Sequence, residues 1–80
     1  MKPELVESIR ADVLAAAEDQ QKTAMFHLRT LQHAEEIDKI NSKSYCELVG
    51  VPVSYFTEVA KMVALKRLMN QEGINVLCNG

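Results

Sequence analysis

Residues 4–49 contain neither glycine nor proline. Those two residue types punctuate turns and strand ends, so a stretch this long without them is committed to helix. Pro3 stands at its head, where a missing N–H costs nothing and a fixed φ suits the first helical turn. Glu4 and Glu7 follow near the positive end of the helix dipole. Apolar and small side chains then recur at helical spacing: Leu5, Ile9, Val13, Ala16 and Ala17, then Ala24, Leu28, Leu31 and Ala34. The expected fold class is all-α, in one domain spanning residues 1–80.

The stripe weakens only at residues 18–22, which are polar. Two readings follow. One is a single helix of about 32 residues; the other is a helical hairpin over residues 3–38, broken at the polar patch and recapped by Asp19 or Thr23. A helix of that length is ~48 Å long. The remaining chain, folded compactly, would span about 25 Å and leave half of the stripe bare. A bare apolar stripe asks for a partner. The single helix therefore implies a homodimer through Leu5, Ile9, Val13, Leu28 and Leu31, whereas the hairpin permits a monomer. The alanine-rich residues 13–17 form helix strongly and favour the single helix.

Residues 40–59 carry a second pattern. Asn41 is a helix-start residue, and the small Cys46 comes five residues later. Gly50 follows Cys46 by four, flanked by Val49 and Val51, and Phe56 and Val59 stand six and nine residues after the glycine. Each spacing has a cause. Two short helices crossing steeply need a small side chain at the crossing, which Cys46 supplies. The turn needs a residue that tolerates positive φ. Phe56 and Val59, three apart, share the inner face of the next helix, and Pro52 suits its first turn. Ile37 and Ile40 lead in as buried residues, and Asn41, Ser42 and Ser44 all offer caps. Downstream, Val59, Val63, Leu65, Leu68 and Met69 prolong an apolar face until Gly73, a left-handed stop onto which Ile74 folds back over Met69. Residues 74–80 form a short, rather apolar tail.

This arrangement resembles a helix-turn-helix of the repressor type, over about 20 of the 80 residues. The resemblance implies a helix-turn-helix at 41–72 with an extended second helix, and double-stranded DNA as the partner. A recognition helix reads base edges with its first two turns. That assigns DNA contacts to Val53, Ser54, Tyr55, Thr57, Glu58 and Lys61, with Lys43 approaching phosphate and Lys66 and Arg67 on the flank. Glu58 is the awkward member, since a carboxylate repels the duplex unless it accepts from cytosine N4. The chain's size is that of phage, plasmid and mobile-element regulators. A dimer doubling the contacts would need its modules ~34 Å apart.

Charge permits this reading without demanding it. The net charge is −2. Residues 1–40 carry −3 and residues 41–80 carry +1, so the half with the motif is the more basic. The acidic N-terminal half and Glu58 support a second reading, a protein–protein adaptor that keeps the fold without binding DNA.

Other chemistry finds no footing. His27 and His33 are six apart and share no helix face, so neither forms a metal pair. Cys46 is accounted for by packing, and Cys78 stands alone near the end. The three glycines form no phosphate loop, and the acid pairs Glu18–Asp19 and Glu35–Glu36 are solvated charge. No catalytic residue, metal or cofactor is expected. No apolar run approaches the ~20 residues of a membrane span, the N-terminus lacks a signal-peptide core, and two cysteines make no disulfide framework. The expectation is a cytoplasmic, reduced, non-enzymatic protein.

Overall fold

The N-terminal stripe breaks at residues 18–21. In the computed structural model, which describes residues 2–75, α1 (Pro3–Ala17) ends there and α2 (Lys22–Gln32) returns against it. The closure is made by the main chain. Gln20 adopts φ +59°, its N–H bonds to the Ala17 carbonyl at 3.1 Å, and the Gln21 N–H reaches the Ala16 carbonyl at 2.9 Å. This is the left-handed helix stop usually made with glycine, formed here by a glutamine. The hairpin is thus the observed form, and the single long helix is overturned. The described chain measures 33 × 25 × 22 Å, too short to hold a ~48 Å rod.

The reason lies in what the stripe packs against. Val6, Ile9, Val13 and Ala16 are buried beneath α2 and α4, so the α1 stripe is covered within the monomer. On α2 the buried residues are Phe26 and Thr30. The expected stripe residues Ala24 and Leu28 are exposed, and Leu31 is half-buried. Carrying the α1 period across the turn put the second arm out of phase, because the turn resets the rotation. An ion pair from Arg29 Nε to Asp12 Oδ2, 2.9 Å, ties the two arms together.

After a short α3 (Ala34–Ile37), whose Ile37 is fully buried, Ile40 packs partly covered against the core. Then α4 (Ser42–Val49) begins at Asn41, whose side chain accepts from the Lys43 and Ser44 N–H groups at 2.8 and 3.3 Å. Of the three candidate caps it is the one used. Tyr45, Cys46 and Val49 face inward and α4 ends at Gly50, φ +90°, with the Val51 N–H bonded to the Cys46 carbonyl at 3.1 Å. A 3-10 turn (Val53–Tyr55) leads into α5 (Phe56–Gln71), which stops at Gly73, φ +74°. There the Ile74 N–H reaches the Met69 carbonyl at 2.8 Å, as the Gly73 stop requires. The tail beyond residue 75, with Cys78, lies outside the described residues. The five helices and the absence of strands among the described residues bear out the all-α class.

The core is aliphatic except at one place. Phe26 is fully buried with its ring 5.8 Å from Tyr45 and 5.7 Å, edge-on, from Tyr55. Beside it the Tyr45 hydroxyl and Thr30 Oγ1, both fully buried, share a hydrogen bond of 3.0 Å. Burial pushes the Tyr45 phenol up to about 12, against a smaller downward pull from that bond. Burial likewise raises the Cys46 thiol and so blunts its reactivity.

Gln20→Gly should stabilise the protein by about 0.5–1 kcal/mol, since glycine takes the left-handed conformation without strain. In a continuous helix the same change would destabilise by about 1 kcal/mol. The sign of the shift in Tm is the readout. Tyr45→Phe should cost about 1–2 kcal/mol, because a buried Thr30 hydroxyl loses its bond to the ring, and adding Thr30→Val should recover part of it. Unfolded tyrosines ionise near pH 10. The contribution of the raised Tyr45 phenol is therefore intact below pH 10 and lost as pH climbs toward 12. Urea unfolding at about pH 7 and about pH 11 should show that loss in the wild type and a flatter response in Tyr45→Phe.

Candidate nucleic-acid interface

The tip of the molecule is built by the start of α4, the 3-10 turn and the first turns of α5. Asn41 sets where α4 begins and so where Lys43 projects. Gly50 and the buried Val51 set the angle at which the chain re-enters. Pro52, φ −57°, directly precedes the 3-10 turn, and its carbonyl accepts the Tyr55 N–H at 3.0 Å.

The 3-10 turn changes which side chain enters the core. Its tighter winding turns Tyr55 inward against Phe26, and Tyr55, Val59 and Val63, four apart, form the inner stripe of α5. Phe56, expected on that inner face, is instead 39% exposed. The Lys43 ammonium lies over its ring, 5.1 Å from the centroid, a cation–π contact that covers one face of the ring. Tyr55, expected among the DNA contacts, has its ring committed to the core.

Val53, Ser54, Thr57 and Lys61 are exposed on the tip and the outer face of α5. The Thr57 hydroxyl donates to the Ser54 carbonyl at 3.3 Å, closing the start of the helix. This is two short helices joined through a left-handed glycine, with a small buried residue at the crossing and an outward first turn on the second helix. A family model described as an HTH-like domain matches residues 1–72. The chain belongs to the HTH-like domain family. No match is found among curated proteins or among solved structures. The matched span takes in the N-terminal hairpin, so the hairpin is part of the HTH-like domain.

Within the HTH-like domain, Glu58 is drawn sideways. Its Oε2 lies 3.4 Å from His27 Nε2 on α2, at charge-pair distance but without hydrogen-bond alignment, and its Oε1 lies 3.5 Å from Lys61 Nζ. The carboxylate is two-thirds covered and flanked by these two groups. Sequence reasoning gave His27 no role in the interface. No local signal could have found it, since the contact joins residues 31 positions apart and exists only once α2 packs on α5.

Lys66 and Arg67 belong elsewhere. They sit about 140° and 120° around α5 from Lys61. Arg67 pairs with Asp38, Asn70 Nδ2 donates to Glu35 Oε1 at 3.3 Å, and Lys66 lines the same crevice between α3 and α5. These contacts clamp α3 to the far half of α5, and the two cations do not join the tip. The residues expected to face a partner copy are divided: Ile9 and Val13 are 1% exposed, Leu5 and Leu31 are half-buried, and only Leu28 is exposed. Burial lowers the His33 imidazole, with Glu36 pulling it back up and Arg29 adding to the fall. Among the described residues no cluster of His, Cys, Asp and Glu could hold a metal, and no helix is long and apolar enough to cross a membrane.

Proposed function

We propose that the chain is a small DNA-binding regulator or DNA-associated accessory protein, of phage or plasmid type. In this reading the 3-10 turn and first turns of α5 enter the major groove. Ser54 and Thr57 donate to phosphate or base edges, Lys61 meets phosphate or guanine, and Lys43 meets a neighbouring phosphate. The observation that carries the reading is the fate of Glu58. A free carboxylate on the reading face would oppose a duplex, and here it is two-thirds covered, with the Lys61 ammonium 3.5 Å and the His27 imidazole 3.4 Å away. Such a module is non-enzymatic and works in the cytoplasm, where its DNA is.

With Lys43 and Lys61 as the tip's cations, affinity is modest and electrostatic. A second reading, a protein adaptor, draws on Val53 and Phe56, 38% and 39% exposed on the same tip, and on the net charge of −2.

Fluorescence anisotropy with a mixed-sequence duplex, at about 50 and about 200 mM salt, separates the two. The DNA reading expects binding at low salt that falls steeply as salt rises, through counterion release. Lys61→Ala should weaken it and lower the slope of log K against log salt by about one. An unchanged slope removes Lys61 from the contact. No binding at tens of micromolar, even at low salt, rejects the DNA reading in favour of the adaptor.

A further inference from the structure

Helix α5 has two apolar faces. One carries Val59 and Val63 into the core. The other, on the opposite side, carries Leu65 and Leu68, 40% and 53% exposed. An exposed apolar face on a helix is a candidate contact surface. The expected dimer stripe on α1 is consumed inside the monomer; Leu14 on α1 and Leu48 on α4 are exposed as well, but among the described residues it is this face of α5 that sets two exposed leucines on a single helix.

Its ends are charged, and the charges are placed by number. Lys61, Leu65, Leu68 and Glu72 are spaced four, three and four apart, the a/d spacing of a helix-pairing seam, and fall within about 60° around the axis. All four are exposed. Turning a second α5 antiparallel about a two-fold axis between residues 66 and 67 sets Leu65 against Leu68 of the other copy. The same operation sets Lys61 against Glu72 at each end. The pattern is its own complement, as a two-fold interface requires. Ala64 is exposed at the edge of the seam, and its small side chain lets the helices approach to the 8–10 Å of packed pairs.

We infer that the outer face of α5 pairs antiparallel with a second copy of this chain, through a Leu65–Leu68 contact closed at both ends by Lys61 and Glu72. The inference does not rest on DNA binding, and its test contains no DNA. Antiparallel pairing also aims the outer faces of the two α5 helices at each other. Lys61 meets Glu72 of the second copy in the pair and the duplex in the DNA reading, so these two uses of its ammonium exclude each other.

The seam is small, so the dimer is a weak one. Sedimentation equilibrium from about 5 µM to about 1 mM should follow it from monomer to dimer. Leu68→Asp, which would bring a carboxylate into the seam, should raise the dissociation constant by about a hundredfold with an unchanged far-ultraviolet circular dichroism spectrum. Lys61→Glu and Glu72→Lys should each weaken pairing by roughly three- to tenfold, and the double exchange should restore it. A wild type that stays monomeric throughout overturns the inference, as does a dimer indifferent to Leu68→Asp. A double exchange no better than its single parents overturns the antiparallel register. Should Leu68→Asp lose helicity, the charge exchange, confined to exposed side chains, decides alone.

Discussion

The packing of Phe26 is what the rest of this structure depends on. The chain has four aromatic residues, and Phe26, Tyr45 and Tyr55 meet in one fully or largely covered group. Each comes from a different element: α2, α4 and the 3-10 turn. Aromatic rings bury more area than any aliphatic side chain here, and offset or edge-on pairs add a geometric preference. The group therefore fixes the return arm of the hairpin to both halves of the helix-turn-helix. The Thr30–Tyr45 hydrogen bond adds direction, since a slip of α2 along α4 would strand two buried hydroxyls. In a core this small, such a hub carries a large share of the stability.

That hub also decides what the tip can present. Phe26 takes Tyr55 as its partner, so Phe56 is turned outward under Lys43. The neighbouring His27 faces Glu58. One turn of α2 thus sets the exposure of an aromatic residue and the surroundings of a carboxylate. The electrostatics of the tip are a product of the hairpin as much as of the helix that carries it.

The legible parts of the fold were those signalled by residue type. Gly50 and Gly73 mark their turns because glycine is the usual occupant of a left-handed position, and Asn41 marks its cap because its side chain reaches back to free N–H groups. Cys46, Val49, Val51 and Val59 were legible from spacing. The break at Gln20 was not, because the same closure was made by a residue with no such signature. From that one turn followed the misplaced phase of Ala24 and Leu28 and the idea of a bare α1 stripe. Of the candidate interface, Lys43, Val53, Ser54, Thr57 and Lys61 are exposed at the tip. Tyr55 and Phe56 exchanged roles because a 3-10 turn cannot be told from an α-helical one by apolar spacing alone. The His27–Glu58 contact and the Arg67–Asp38 pair are tertiary, and nothing in the linear order announces them.

Three helix ends are closed in the same way. The N–H groups of Gln21, Val51 and Ile74 each reach the carbonyl five residues back, across Gln20, Gly50 and Gly73 in positive φ. The bonds are main-chain bonds, so the closures themselves need no side-chain hydrogen bond at the corners. Over evolutionary descent such corners are insulated from drift. Substitutions at the exposed positions around them can alter charge and polarity while the helices keep their directions, provided that one dihedral at each corner stays reachable. A chain built like this can change what its surface recognises faster than it changes its shape.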